Sequence, residues 1–224
     1  MPERVNIKQK VLSENDKFAT QIRKALKEHK IPCLNLVSSP GSGKTSLLEH
    51  TLKHFKDEIK IAIIVGDVQT ENDAVRLSDS GGKIIRPIIT GGACHLDAKM
   101  INKVFENIDI NEIDLLIIEN VGNLVCPSSY DLGEDMKVVL ISTTEGDDKP
   151  SKYPAMFRRS SVMVINKIDL LGMSDFELSK VKENALNING NLQIIDTSCR
   201  TKEGLEEWYK FLEQIIEDKK TILE

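Results

Sequence analysis

The sequence lacks the features that would place the chain in a membrane, outside the cell or on nucleic acid. It has no uninterrupted apolar run of roughly 18 residues, which excludes a membrane-spanning helix. Its first residues, MPERVNIKQKV, have no apolar core of the kind found in secretory signals. Basic charge is not in excess either, because the net charge is −5, and this argues against a nucleic-acid-binding face.

Cysteine is scarce, and its spacing fits no disulfide framework. The four cysteines lie at positions 33, 94, 126 and 199. A chain without a secretory signal is expected in the cytoplasm, where thiols stay reduced. The cysteines are therefore free to be core residues or metal ligands, and Cys33, at the start of an apolar segment, is expected in the core.

Strand-like and helix-like segments alternate along the chain after a helical N-terminal stretch. Residues 1–30 are predicted to be a helical extension, with its helix over 13–29, and residues 31–224 one domain. Several apolar segments are continuous Val/Ile/Leu runs, typical of strands buried on both faces of a parallel sheet. The predicted class is α/β, with a mostly parallel, doubly wound sheet covered by helices on both faces. Strands are predicted at 33–37, 60–66, 84–89, 114–119, 137–142, 161–166 and 192–196, helices at 45–56, 71–80, 96–107, 174–187 and 203–219, and the clearest loop at 143–154.

A glycine-rich loop connects the first strand of this domain to the helix that follows it. It reads Ser38-Ser39-Pro40-Gly41-Ser42-Gly43-Lys44-Thr45, with serine where the phosphate-loop pattern usually opens on glycine. Backbone N–H groups of such a loop converge on phosphate oxygens, helped by the helix N-terminus. Lys44 would reach the β and γ phosphates and Thr45 would bind Mg²⁺; an exposed Gly/Ser turn is the alternative. The predicted nucleotide-binding residues here are Gly41, Ser42, Gly43, Lys44, Thr45 and Ser46.

The segment Asn166-Lys167-Ile168-Asp169 follows a later strand and indicates which purine is bound. The Asp169 carboxylate can accept hydrogen bonds from N1–H and the 2-amino group of guanine, a donor pair that adenine lacks. Asn166 is expected to brace the loop and Lys167 to lie over the base. An exposed polar turn is the alternative. The segment 197–204, with Ser198 and Cys199, is expected to close the base site from its other side.

Acidic residues follow two further predicted strands. Asp67 and Glu119 lie at strand carboxyl ends, the edge where doubly wound sheets bind ligands. Each could hold Mg²⁺, directly or through water, or position an attacking water, whereas the alternative is that it caps the following helix. Asp73, just inside a helix, suits a structural role equally well, and the backbone N–H of Gly122 could approach a γ-phosphate. The predicted catalytic residues are Lys44, Asp67, Asp73 and Glu119.

Cys94 and His95, which follow two glycines, and the distant Cys126 form a candidate metal-ligand set. Two thiolates and an imidazole suit Zn²⁺ or Ni²⁺. Three ligands leave a four-coordinate site incomplete, so a second copy of the chain, a substrate or water must supply the rest. The alternative is that these are buried structural residues. His50 and His54, four apart on a helix, lack a third ligand and are predicted to be solvated.

Seven segments together make the chain resemble the hydrogenase nickel-incorporation GTPases of the HypB family. Two of them, GGACHLDA (91–98) and IENVGNLVCP (118–127), are highly specific. The resemblance spans nearly all of the chain beyond residue 30. The other segments are SSPGSGKT (38–45), GDVQTENDAVR (66–76), TTEGDDK (143–149), NKIDL (166–170) and TSCRTKEG (197–204).

The resemblance implies a P-loop GTPase of the SIMIBI type that hydrolyses GTP to GDP and phosphate and dimerises when GTP binds. It implies an interfacial metal site of Cys94, His95 and Cys126, cooperation with the nickel-binding partner HypA, and delivery of nickel to the large subunit of a nickel–iron hydrogenase. Some family members carry an N-terminal CxxCGC motif or a histidine-rich tract. Residues 1–30 have one histidine and no cysteine, so this chain is expected to lack that additional site.

The expected hydrolysis is slow, because no obvious catalytic glutamine or arginine finger is present. Segment 119–126 would connect the γ-phosphate sensor Gly122 to the ligand Cys126, so that loss of the γ-phosphate changes the metal site or the dimer contact. Three alternatives stay open. One is a urease-type nickel-insertion GTPase, which typically has Cys-Pro-His where this chain has Cys94-His95. The others are a small-molecule kinase that prefers ATP, and a passive metal carrier with a vestigial nucleotide site.

Overall fold

Seven parallel strands form one sheet in the computed structural model, which describes residues 7–221, with side chains from residue 11. The order across the sheet is β3-β2-β4-β1-β5-β6-β7, so β1 lies at the centre, between β4 and β5. The predicted α/β class with a doubly wound parallel sheet is confirmed, and each predicted strand is present. The strands are β1 (Cys33–Ser38), β2 (Ile61–Asp67), β3 (Ile84–Ile89), β4 (Leu115–Glu119), β5 (Met136–Ser142), β6 (Val162–Asn166) and β7 (Gln193–Asp196).

Helices cover both faces of this sheet, as the alternation of the sequence predicts. One predicted loop, 143–154, is wrong in part, because two short helices begin within it. Pro150 and Pro154 lie in the first turns of these helices, where proline has the required φ and its missing N–H removes no helical hydrogen bond. The helices are α1 (Ile7–Glu28), α2 (Lys44–Phe55), α3 (Asn72–Asp79), α4 (Ala98–Phe105), α5 (Lys149–Lys152), α6 (Pro154–Arg159), α7 (Leu178–Ile188) and α8 (Leu205–Thr221).

Alternate residues of the strands enter opposite halves of the core. In β1, Leu34 and Leu36 pack with residues of α2, α3 and α8 on one face. Cys33 faces the other side, where α1 and α4 pack, and is fully buried as predicted. Burying each such aliphatic side chain contributes about 1.5–3 kcal/mol to the stability of the fold. Asn35, between the two leucines, is a buried polar exception.

The sheet brings the predicted site residues to one edge. Because all strands are parallel, the segments after β1, β2, β4 and β6 leave from the same carboxyl edge, near the central strand where the order reverses. The glycine-rich loop continues from the end of β1, and Asp67, Glu119 and Asn166 are the last residues of β2, β4 and β6. Among the described residues, no helix is both long and apolar enough to span a bilayer.

Candidate functional site

The glycine-rich loop is held in place at the start of α2. Gly43 has a φ of +103°, a conformation that favours glycine, and an added Cβ there would lie 2.3 Å from Asn166 Nδ2. The buried Lys44 ammonium donates a hydrogen bond to Ser38 Oγ at 2.8 Å. Serine at the first position of the loop therefore contacts the lysine directly. The departure from glycine is compatible with the loop and helps to position Lys44.

An open cavity of about 440 Å³ lies between this loop and the ends of β2 and β4. Its size is in the range typical of small-ligand sites. Ser42 does not line this cavity, and its Oγ donates a hydrogen bond to Glu145 Oε1. The predicted site residues that line the cavity are Gly41, Gly43, Lys44, Thr45, Ser46, Asp67, Asp73, Glu119 and Gly122.

Glu119 and Thr45 form an oxygen-rich pair at the wall of the cavity. Thr45 Oγ1 donates to Glu119 Oε1 at 2.8 Å, while the buried Glu119 Oε2 has no hydrogen-bond partner among the described residues. Burial raises the pKa of Glu119 to about 7, although nearby Lys44 and the hydrogen bond from Thr45 act to lower it. A buried carboxylate oxygen that lacks a partner, next to a hydroxyl, fits Mg²⁺, which prefers oxygen ligands and would offset the cost of burying the charge.

Asp67 closes a tight turn at the end of β2. Its Oδ1 accepts hydrogen bonds from the backbone N–H groups of Gln69 and Thr70 at 2.8 and 2.9 Å. Burial alone would raise the pKa of Asp67, but these backbone donors outweigh it and lower the pKa. The carboxylate is therefore ionised at neutral pH and borders the cavity, which also suits a cation.

Asp73 pairs with an arginine to which no sequence motif assigns a role. Arg76 Nη1 donates to Asp73 Oδ1 at 3.1 Å, and its Nη2 donates to Glu49 Oε2 at 3.1 Å. Arg76 also borders the cavity. The only sign of it in the sequence is its place at the end of the segment 66–76. The ion pair gives Asp73 a structural partner, and its proximity to the cavity leaves the catalytic assignment a prediction.

Gly122 lies directly against the glycine-rich loop. A Cβ on Gly122 would lie 3.1 Å from both the Cα and the N of Pro40. Only a residue without a side chain lets these two backbones approach so closely without a shift. The segment after β4 therefore contacts the loop that is predicted to hold the phosphates.

The predicted base-binding residues are brought together and cross-linked to the glycine-rich loop. Asn166 Nδ2 donates to Ser42 O at 2.9 Å, and its Oδ1 accepts from Cys199 N at 3.1 Å. Lys167, with a φ of +65°, donates through Nζ to Gly41 O at 2.7 Å. These bonds explain why asparagine and lysine stand here: one side chain braces two loops and the other covers the loop edge.

Asp169 lies beside them with its carboxylate largely buried. The exposed fraction of its side chain is 11%, and Arg200 lies 3.9 Å from its Oδ2. Its Oδ1 accepts a hydrogen bond from Ser198 Oγ at 2.5 Å. The arrangement presents a carboxylate in a partly desolvated setting, where pairing with two N–H donors of a base would be strong.

Two residues of the segment after β5 also contact the glycine-rich loop, although no motif in the sequence indicates a role for either of them. Glu145 Oε1 accepts a hydrogen bond from Ser42 Oγ at 2.5 Å. Lys149 Nζ donates to Ser39 Oγ at 3.0 Å and lies 3.3 Å from Glu145 Oε2. The prediction that His50 is solvated is wrong in part, because His50 is half-buried and its Nε2 lies 2.7 Å from the Cys199 carbonyl oxygen.

Cys94, His95 and Cys126 converge, although two loops supply them. The two Sγ atoms lie 2.9 Å apart, and one ligand atom from each residue falls within 4.8 Å of the others. The His95 ring stacks on Tyr130 with centroids 4.0 Å apart, and burial lowers the pKa of His95, which favours the neutral imidazole that binds metals. Cys94 is exposed. The cluster therefore offers two sulfurs and one nitrogen to a soft or borderline cation, with an open side towards solvent.

The segment from Gly122 to Cys126 is also fastened to the first ligand loop. Asn123 Nδ2 donates to the Cys94 carbonyl oxygen at 3.1 Å, and Asn123 Oδ1 accepts from Val125 N at 2.9 Å. One short stretch of chain thus contacts the glycine-rich loop at one end and carries a sulfur ligand at the other.

The fold, the lysine-containing loop and the Asn166–Asp169 segment define a P-loop nucleotide-binding protein with a separate sulfur-rich ligand cluster. The family described as CobW/HypB/UreG, nucleotide-binding domain, matches residues 32–196. The chain belongs to this family and, within it, to the HypB group, as its similarity to individual members shows.

The chain is 47% identical to the hydrogenase maturation factor HypB of Rhizobium leguminosarum bv. viciae, over 93% of this chain and 70% of the relative. It is 42% identical to the hydrogenase/urease maturation factor HypB of Helicobacter hepaticus, over 94% of this chain and 87% of the relative. The crystal structure of HypB from Helicobacter pylori in complex with nickel superposes with a TM-score of 0.86 at 40% identity, covering 92% of this chain and 96% of that one. The family resemblance inferred from the motifs is confirmed.

Proposed function

We propose that this protein is a GTP-hydrolysing metallochaperone that helps to insert nickel into the large subunit of a nickel–iron hydrogenase. The observation that carries the proposal is the short segment from Gly122 to Cys126. A Cβ added to its first residue would lie 3.1 Å from Pro40 of the phosphate loop, and its last residue belongs to the cluster of three candidate metal ligands. Relatives named as hydrogenase maturation factors, and a nickel complex of one HypB, support the same reading.

The nucleotide part of the proposal assigns roles to the residues of the cavity. GTP binds with its phosphates on residues 41–46, Asp169 accepts hydrogen bonds from guanine, and Ser198 and Cys199 close the base site. Asn166 and Lys167 hold the loops together around it. Thr45 and Asp67 would hold Mg²⁺, with Glu119 beside them, and the ion would supply positive charge at the phosphates.

Hydrolysis breaks the bond between the γ-phosphorus and the oxygen that bridges it to the β-phosphate, and water supplies the new oxygen. Lys44 offsets negative charge that develops on the leaving GDP, and Asp73 and Glu119, which line the cavity, are the acids assigned to orient or deprotonate the water. Arg76, at the edge of the cavity, forms ion pairs with the carboxylates of Glu49 and Asp73 at 3.1 Å each, so it is not free to contact a phosphate. This supports slow turnover by the isolated protein.

The metal part of the proposal places Ni²⁺ or Zn²⁺ on Cys94, His95 and Cys126. Exposure of Cys94 and the 59% exposure of Val125, next to Cys126, support a site that lies at a surface between molecules. We propose a homodimer that forms on nucleotide binding there, with HypA as the nickel-binding partner, in the cytoplasm. Loss of the γ-phosphate would release Gly122 and, through Asn123, alter the position of Cys126 relative to Cys94.

The test is a nickel titration of the protein loaded with GDP or with a non-hydrolysable GTP analogue. We expect the two nickel affinities to differ by about tenfold, within the usual range of coupling between sites. Cys126→Ser should weaken nickel binding and abolish the difference, whereas Cys33→Ala, which removes a core thiol outside the cluster, should retain it. Equal affinities in the two nucleotide states would leave a passive carrier with a vestigial nucleotide site.

A second candidate acceptor is urease, which the name of the Helicobacter hepaticus relative includes. Nickel release from the GTP-loaded protein into apo-urease and into apo-hydrogenase large subunit distinguishes the two. Activation of the hydrogenase alone is the expected result.

A further inference from the structure

A buried asparagine of α1 connects the two segments that carry the metal ligands. Asn15 is 5% exposed. Its Oδ1 accepts a hydrogen bond from Ala98 N at 2.8 Å, and its Nδ2 donates to Asp131 O at 2.8 Å. Ala98 follows Cys94 by four residues, and Asp131 follows Cys126 by five. One side-chain amide therefore bridges the backbones of both ligand segments.

On the first segment, Asn15 satisfies a group that has no other partner within the helix. Ala98 is the first residue of α4 and is fully buried, so its N–H is one of the unpaired donors of a helix N-terminus. The N-cap residue Asp97 accepts from Met100 N instead. Without the Asn15 oxygen, the Ala98 N–H would be left buried and unpaired, and the start of α4, with the ligands just before it, would have to shift.

On the second segment, α1 is fastened to a tight turn. Arg23 Nη2 donates to Asp131 Oδ1 at 2.6 Å, and the same carboxylate oxygen accepts from Gly133 N at 2.9 Å. An added Cβ on Gly133 would lie 2.8 Å from the Ala19 carbonyl oxygen, so the turn packs directly on the helix backbone. The turn therefore has a fixed position relative to Asn15.

Tyr130, the residue before that turn, contacts the metal cluster. Tyr130 stacks on the ring of His95, with centroids 4.0 Å apart and an angle of 27° between the planes. A displacement of the turn would thus move the ring that orients the imidazole as well as the chain that leads to Cys126. Metal–ligand bonds to nitrogen and sulfur tolerate little change in length, so such displacements weaken binding.

We propose that Asn15 is a positioning residue for the metal site, which sets the separation of the Cys94–His95 segment from the Cys126 segment without binding the ion. The inference rests on the proposed nickel site. It makes α1 part of the scaffold of that site. Groups that hydrogen-bond directly to metal ligands typically contribute about 10–100-fold to metal affinity, and Asn15, which bonds to the ligand segments but to no ligand side chain, is expected at the lower end of that range.

The experiment compares the wild-type protein with Asn15→Ala, Asn15→Asp and Asn189→Ala. Asn15→Ala removes both hydrogen bonds, while Asn15→Asp keeps an acceptor for the Ala98 N–H and also serves if the alanine variant does not fold. Asn189 is the matched control, because its Nδ2 donates to the backbone oxygens of Phe157 and Ser160, at 3.2 and 2.8 Å, and to neither ligand segment. The readouts are Ni²⁺ affinity, the thiolate-to-nickel charge-transfer absorption, GDP affinity and thermal stability.

Asn15→Ala should bind Ni²⁺ about tenfold more weakly, with a changed charge-transfer band and an unchanged GDP affinity. Asn15→Asp should fall between it and the wild type, and Asn189→Ala should bind Ni²⁺ normally even where its thermal stability is lower. The inference is overturned if the Asn15 variants bind Ni²⁺ with wild-type affinity and spectrum, or if Asn189→Ala weakens nickel binding as much. If the wild type itself binds no Ni²⁺, the proposed metal site falls and this inference falls with it.

Discussion

The nucleotide cavity and the metal-ligand cluster differ in what holds them. The cavity residues lie at or after the ends of strands of one sheet, and several of their side chains, such as Lys44, Thr45 and Glu119, are buried and hydrogen-bonded. The metal ligands come from two loops beyond the strand ends, and Cys94 is exposed. The sheet therefore fixes the first site, whereas contacts among loops and helices, such as those of Asn15 and Asn123, hold the second. A geometry that depends on contacts among loops and helices is easier for a bound nucleotide or a partner to change than one set by paired strands.

The largest effect of a substitution is expected at the base site, where the nucleotide part of the protein should change and the metal cluster should not. Asp169→Asn replaces a carboxylate acceptor by an amide that presents N–H groups to the N–H donors of guanine, so the preference for GDP over ADP should fall by about 10⁴-fold. Nickel binding in the absence of nucleotide should be unaffected, because the cluster is held separately. Calorimetric titration with GDP and ADP measures the preference, with Asp175→Asn, which changes an exposed acid, as the control. If Asp169→Asn left the nucleotide preference unchanged, Asp169 would not recognise guanine, and a kinase-like site would be favoured.

The sequence could predict the nucleotide site more fully than the metal scaffold because of how each is built. Motif residues such as Lys44 and Asp169 follow apolar runs, and parallel strands must place such segments at one edge. Contacts between distant segments carry no local signal. Three such contacts appear only in the structure: Glu145 with Ser42, His50 with the Cys199 carbonyl, and Asn15 with the two ligand segments.

Two short helices could not be predicted from the composition of the sequence, because their segment is rich in proline and charge. The segment 143–154, with prolines and charges, has the composition of a loop, yet Pro150 and Pro154 each lie at the start of a helix. Proline ends helices in their interiors but fits their first turn. The continuous apolar runs therefore predicted the strands correctly, whereas the polar, proline-containing composition of 143–154 did not predict a loop correctly.

A smaller effect is expected from the charge state of Glu119. Its pKa is raised by burial from 4.5 to about 7, so between these values the folded protein holds a proton that the unfolded chain releases. In metal-free and nucleotide-free protein, the free energy of unfolding should therefore fall as pH rises through this window, by up to ~3 kcal/mol. Urea unfolding at pH 5 to 8 measures the fall.

Glu119→Gln should remove most of that pH dependence, whereas Glu183→Gln, which changes an exposed carboxyl in α7, should keep it. Saturating Mg²⁺ with GDP should also flatten the curve, since a cation at the carboxylate favours its ionised form. The same slope in wild type and Glu119→Gln would show that another group titrates, and would remove the reason for placing Mg²⁺ at this carboxylate.

The smallest change tests the contact between the two sites. An added Cβ at Gly122 would lie 3.1 Å from Pro40 Cα and N, so Gly122→Ala requires the phosphate loop or the segment after β4 to give by a few tenths of an ångström. We expect GTP affinity to fall only about threefold, which corresponds to less than ~1 kcal/mol. The difference in nickel affinity between the GDP-loaded and analogue-loaded protein should nevertheless be lost, because the shifted segment leads to Cys126. Gly190→Ala is the matched control, since the nearest atom to its added Cβ is Leu186 O at 3.9 Å, an ordinary contact. If Gly122→Ala keeps the full nucleotide dependence of nickel binding, the segment is not the connection between the sites, and communication must run through the dimer or through β1 instead.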